Sequence, residues 1–236
     1  MKNIVLLFLF FVLIVKPAFS QETDNTPEYT DKSWYASVSY ATAIWSSDYW
    51  NESYPSTPDA VISHQNQKFK DFSNYSIGFG YRSNRFQTDL VYEDFSKIRW
   101  TAGETVDNSA RTFQNGELHV ESKNIMAQFS YDFLRYENNQ FFGLVGLGVS
   151  EHMVDTAYLM ISGTRVDYAS PHTTNNTSYR FGIGNRYRLS ENTAVETKLT
   201  YSDYGKAYNL NSTNNNLSYS IKMQAVEAGV SLKYYF

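Results

Sequence analysis

From Trp34 to the last residue, apolar side chains recur at every second position in one segment after another, the spacing of strands that present one face to an apolar surface. Trp34, Ala36, Val38, Tyr40, Thr42 and Ile44 are interleaved with Ser37, Ser39, Ala41 and Ala43. Tyr75, Ile77, Phe79 and Tyr81 alternate with Asn74, Ser76, Gly78 and Gly80, and Phe86, Thr88, Leu90 and Tyr92 with Arg85, Gln87, Asp89 and Val91. Ile125, Ala127, Phe129, Tyr131 and Phe133 form the fourth such face. The fifth segment, 141–150, is apolar on both faces, which leaves its register open. Tyr179, Phe181 and Ile183, then Val195, Thr197, Leu199 and Tyr201, and finally Val226, Ala228, Val230, Leu232, Tyr234 and Phe236 complete a set of eight strands.

The connections follow a rule of their own. Those after strands two, four and six are tight (Arg82-Ser83-Asn84, Tyr136 to Asn139, Ser190-Glu191-Asn192-Thr193), and those after strands one, three, five and seven are long and polar, roughly 46–68, 96–119, 153–176 and 205–216. Such alternation gathers the tight turns at one end and the long loops at the other, the layout of a transmembrane barrel with periplasmic turns and larger extracellular loops. A soluble antiparallel barrel shares the strand number but not this asymmetry. Residues 157–168, around Ser162-Gly163, offer an extra hairpin and hence a ten-strand alternative; the expectation is that this hairpin stands above the membrane.

The faces separate lipid from water. Arg85, Asp89, Glu93, Asp132, Arg180, Arg186, Arg188, Glu196, Lys198, Glu227 and Lys233 share the more polar face of their strands. So many ionisable groups inside a dry soluble core would cost too much, whereas the lumen of a lipid-embedded barrel lets them pair and hold water. The lumenal charge network expected from this register is Arg85, Asp89, Glu93, Asp132, Arg180, Arg186, Glu196 and Lys198. Aromatics gather near both strand ends, as interfacial belts do: Trp34, Phe86, Tyr131, Phe133, Phe141, Tyr187, Tyr234 and Phe236 at the turn end, and Trp45, Tyr92, Tyr179, Tyr201 and Tyr204 toward the loops. In the last strand the apolar phase reverses upstream of residue 226, where Tyr219, Ile221 and Met223 take odd positions. The simplest account places that stretch beyond the membrane.

Composition narrows the setting. The 236 residues include no cysteine, which excludes disulfide scaffolds, thiol catalysis and cysteine-ligated metal sites. Lys2, the apolar run from Ile4 to Val15, the break at Lys16-Pro17 and the small residues Ala18 and Ser20 have the form of an export signal. The expected division is a signal peptide over 1–20, a polar periplasmic leader over 21–32 and a transmembrane β-barrel over 33–236. Losing Lys2 and Lys16 makes the net charge of −4 more negative, so nucleic acid is not an expected partner.

The signal, eight strands, short turns, long loops and the ending Leu232-Lys233-Tyr234-Tyr235-Phe236 together resemble the small outer-membrane barrels of the OmpA, OmpX/Ail and Opa type. The resemblance implies an all-β, eight-stranded antiparallel up-and-down barrel in the bacterial outer membrane, monomeric, with lipids and lipopolysaccharide around it. It also implies that the terminal Phe236 is an assembly signal read by the barrel-assembly machinery. No cofactor is expected.

Chemistry is sparse. Ser150 and His152 lie two apart on one strand and so face the same way, the sharpest enzymatic thought being a lipid A-modifying site; Glu151 points to the opposite face. His64, His119, His152 and His172 lack the spacing of a local metal-ligand pair. Eight strands leave an interior that side chains mostly fill, which disfavours a small-solute channel. The function expected is therefore that of a non-enzymatic surface barrel acting through its loops, in adhesion to a host or other surface, or as a structural envelope protein.

Overall fold

The computed structural model describes residues 32–46, 50–53, 63–65, 68–70, 73–106, 112–161, 164–167, 172–210 and 218–236. The expected signal peptide, and the leader up to residue 31, lie outside the described residues; Lys32 already belongs to the first strand. Eight strands make the barrel: β1 Lys32–Ser46, β2 Ser73–Ser83, β3 Phe86–Phe95, β4 Thr112–Tyr136, β5 Asn139–Ile161, β6 His172–Arg188, β7 Thr193–Leu210 and β8 Ser218–Tyr235. Each pairs antiparallel with the next, and β8 returns to pair with β1 from Tyr35–Tyr235 to Ser46–Ala225, closing the sheet into an eight-stranded antiparallel barrel. Closure leaves no unpaired strand edge for hydrocarbon to meet.

The apolar alternation becomes the outer surface. Val38, Tyr75, Ile77, Phe79, Leu90, Ile125, Phe181, Ile183, Val230 and Leu232 are all exposed, while Asn74, Ser76, Asn124, Gln128, Ser130 and Ser231 between them are buried. The two-faced β5 takes the register with Val145, Leu147 and Val149 outward and Phe142 and Leu144 inward. Its inward Gly148 has a packing reason: a Cβ there would overlap the backbone of β4 at Ile125 and Met126.

The turns differ in detail from the sequence reading. The first is the two-residue pair Asn84-Arg85, with Asn84 at φ 53°, so Arg82 stays in β2 and points inward. The second is Glu137-Asn138, with Glu137 at φ 47°, and the third spans 189–192.

The long connections contain more ladder than expected. Ile98–Val106 pairs with the start of β4, and Ser63–Gln65 and Lys68–Lys70 pair in turn with that strand. Thr164–Asp167 folds back on the end of β5, so the 157–168 hairpin extends a barrel strand and adds none to the barrel. Trp50–Ser53 pairs with the start of β8. Once β4 and β5 are paired within the barrel, continuing their ladder upward adds hydrogen bonds with little further loss of chain freedom, and residues such as Thr101, Val106, Thr112 and Phe113 suit strands. The result is a sheet raised above the loop end of the barrel.

Candidate functional site

Inside the barrel the side chains form storeys along its axis. Nearest the turns, Tyr35, Ala194 and Tyr235 pack as a small apolar floor. Above it Asp132 accepts from Arg82 Nη2 at 2.7 Å and Arg186 Nη1 at 3.0 Å. Arg186 also donates through Nε to Glu196 at 2.6 Å, and Glu196 meets Lys233 Nζ at 3.0 Å. Lys233 lies 3.6 Å from Asp89, which accepts from Gln87 and the Tyr35 hydroxyl. Arg186 and Glu196 are direct cross-strand partners on β6 and β7, which fixes that pair by register alone.

A second network stands one storey higher. Arg180 grips Glu93 with two bonds, 2.6 and 3.1 Å, and reaches Glu227 at 3.3 Å. Glu227 also accepts from Asn74 (2.7 Å), Ser202 (2.6 Å) and Tyr204 (2.8 Å), and Glu93 from Asn124 at 2.7 Å. Two-pronged arginine–carboxylate pairing of this kind is strong and geometrically demanding. Between the networks are two adjoining cavities of about 20 Å³ each, sharing Ser39, Ser76, Gln128, Arg180 and Lys198 in their linings, each with room for a water.

Above the second network the lumen turns apolar. Phe95, Ile98, Val120, Val154, Tyr204, Ala207, Ile221, Met223 and Ala225 form one buried cluster, with Phe95 edge-on to Tyr204 at 4.9 Å. Ile221 and Met223 therefore do not mark a reversal of phase. The odd positions of β8 point inward from 221 to 227, and what changes at Glu227 is the inward chemistry.

The β7–β8 wall at this height is irregular. Tyr204 and Gly205 of β7 oppose the single Met223 of β8, a bulge in which Gly205 adopts φ +85°. The β6–β7 ladder stops just below, at Tyr179–Asp203. The Tyr204 carbonyl accepts both the Ser150 hydroxyl and His152 Nε2 (2.7 Å). A carbonyl can only accept, so Nε2 carries the proton and Nδ1 accepts from Ser122 Oγ at 2.7 Å. Across the gap Asn176 stands in for a strand, donating to Lys206 O at 3.0 Å and accepting from Lys206 N at 3.2 Å.

The family model for the outer membrane protein beta-barrel domain matches residues 6–236. The chain belongs to that family. Membership places the protein in the bacterial outer membrane, so the apolar outer band of this family member faces lipid. No curated protein matches. Among solved structures, OprG of Pseudomonas aeruginosa aligns at TM-score 0.57 with 12% identity, over 90% of this chain and 99% of that one. Neisserial surface protein A aligns at 0.44 with 15% identity (86% and 97%), and the protease OmpT of Escherichia coli at 0.48 with 10% identity (91% and 100%).

Of the residues singled out by sequence in this family member, Asp89, Glu93, Asp132, Arg180, Arg186 and Glu196 lie buried in the lumen, and Lys198 lines its cavity. Arg85 is a correction: it is exposed in the first turn, because the turn consumes Asn84 and Arg85 and leaves the inward place to Arg82. Arg82 was legible all along, sharing the even phase of Asn74 and Ser76. Tyr204 is a second correction. It was assigned to the outer belt, yet it shares the even phase of Glu196 and Ser202 and is fully buried beside Arg180. Phe236 is exposed at the turn end, edge-on to Tyr234 at 5.6 Å, with its N–H bonded to Trp34 O.

Proposed function

We propose that this protein is a non-enzymatic surface barrel that acts through the sheet raised above the outer leaflet. The observation that carries the reading is the length of β4 and β5, 25 and 23 residues, where about 9–11 cross the hydrocarbon. The surplus, flanked by Ile98–Val106 and Thr164–Asp167, places a paired sheet where it meets other molecules or surfaces. Adhesion is the reading this favours; a structural envelope role is the second.

Replacing residues 99–119 and 155–170 by short turns tests it. Loss of attachment to host-cell or abiotic surfaces, with detergent sensitivity of the cells unchanged, is expected. Unchanged attachment with a leakier envelope would favour the structural role.

Two alternatives have little support. Ser150 Oγ and His152 Nε2 are both engaged by the Tyr204 carbonyl and His152 Nδ1 by Ser122, sealed in the lumen and away from any lipid, so wild-type expression is expected to leave lipid A acylation unchanged by mass spectrometry. Two ion-pair storeys and an apolar cap oppose solute passage, and a steady large single-channel conductance would overturn the filled lumen.

Export by residues 1–20 and recognition of Phe236 by the barrel-assembly machinery belong to the same proposal. Deleting Phe236 is expected to reduce outer-membrane yield in cells sharply while refolding of purified chain in detergent changes little. Normal yield would remove the assembly role.

A further inference from the structure

Beyond the bulge, β7 and β8 pair Lys206 directly with Lys222. Ala207, Ile221 and Met223 beside them point into the lumen, so both lysines stand on the outer face. Residues directly opposite on antiparallel strands hold their Cβ atoms about 4.5–5.5 Å apart, and like charges there repel. Neither lysine has a side-chain ion pair or hydrogen bond among the described residues.

The opposite side of the barrel handles the same situation differently. There Lys123 lies in one cross-strand row between Asp94 and Glu151, and Lys97 pairs with Glu121 at 3.6 Å. The acid nearest to Lys206 on its own strand, Asp203, is already engaged: it accepts from Tyr179 Oη at 2.9 Å, from Gly205 N at 2.8 Å and from Gln224 Nε2. Among the described residues the charge of Lys206 and Lys222 has no partner, which leaves it open to a group from outside the chain.

Depth says what that is. The row Tyr179–Asp203–Gln224 belongs to the loop-end aromatic level, with Tyr179 exposed to the membrane interface. Lys222 is two residues further out, about 7 Å along the strand, which brings both ammonium groups to the head-group layer beyond the aromatic belt.

We propose that Lys206 and Lys222 form a binding site for a phosphate group of an outer-leaflet lipid, held on the β7–β8 side of the barrel. A phosphate between two directly opposed lysines converts a repulsion within the bare wall into two attractions, and the lipid's own acyl chains lie against the apolar band below. The site does not depend on what the raised sheet binds.

The test uses full-length protein in phosphatidylcholine nanodiscs doped with bisphosphorylated lipid A or with dephosphorylated lipid A, lipid retention being read by native mass spectrometry. The double variant Lys206→Gln/Lys222→Gln is expected to hold the phosphorylated lipid about thirtyfold more weakly than wild type. Lys123→Gln is expected to match wild type, and Lys206→Arg/Lys222→Arg to restore retention. Equal retention by wild type and the double Gln variant would overturn the site. A wild-type preference that survives with dephosphorylated lipid would overturn the phosphate as the group recognised. Displacement of the lipid by an equal concentration of inorganic phosphate would assign the site to a free anion and overturn the lipid.

Discussion

The two halves of the lumen solve one filling problem by opposite chemistry. Toward the turns, where the outer wall faces hydrocarbon, the inside is packed with ion pairs; toward the loops it is packed with Ile98, Val120, Val154, Ile221 and Met223. In a soluble barrel the inside is the only place to bury apolar surface. Here lipid already takes the apolar face, so inward positions at membrane height can carry charge, most of it held in ion pairs or beside a cavity with room for water. From the interfacial level outward the same strands no longer face hydrocarbon, and the interior reverts to what an ordinary protein core needs. The boundary lies within a single strand, between Glu227 and Ala225 of β8.

That contrast predicts unequal responses to truncation. The largest effect is expected for Glu196→Ala, which strips Arg186 and Lys233 of a shared carboxylate deep in the lumen; roughly 3–5 kcal/mol should be lost in urea unfolding from detergent, against almost nothing for Glu191→Ala in the exposed third turn. Equal effects would break the claim that paired charge carries the membrane half. Next comes Ile221→Ala in the apolar cap, expected to cost about 2–4 kcal/mol. A loss well under 1 kcal/mol would mean the cap is loosely filled and the two halves are less alike in packing than in position.

Gly205→Ala probes the joint between them. The left-handed φ of +85° and the Asn176 side chain, which occupies the place of a Cβ, point to a cost of about 1–3 kcal/mol, visible as a lower unfolding midpoint. Smallest is Ser150→Ala, expected to cost about 1 kcal/mol, since His152 still bonds the Tyr204 carbonyl.

Much of this was readable from alternation. The outward register of β1, β2, β3, β4, β6, β7 and the end of β8 follows from single residues such as Val38, Ile77, Leu90 and Phe181, because lipid enforces the pattern at every second position. The storeys inside were less legible. Arg180 and Arg186 have the same phase and the same residue type. Arg186 finds Glu196 opposite it on the neighbouring strand, but Arg180 crosses the lumen to Glu93 and Glu227, and a cross-lumen partner leaves no trace in spacing. Arg85 failed because a two-residue turn shifts which arginine enters the barrel. The bulge at Tyr204-Gly205 was hidden because one glycine in a polar run looks like the start of a loop, and its partner Asn176 is far away in sequence. Of the raised sheet, the hairpin of 157–168 was anticipated, but the ladder of Ile98–Val106 on β4 was not, because the polar residues of 96–119 satisfy loop and water-facing strand equally well.

The seam between β1 and β8 sets the order in which the molecule is completed. Ser39 and Ser231, which meet across it at 2.7 Å, are 192 positions apart, so the contact that shuts the cylinder joins the earliest barrel strand to the latest. Every other neighbouring pair joins strands adjacent in the chain. Until β8 arrives, β1 keeps one side of its backbone unsatisfied, and a chain halted at any earlier point carries two open edges, each a template for pairing with a stray strand. No shorter piece can close on itself in this register. Closure therefore needs both ends of the barrel sequence at once.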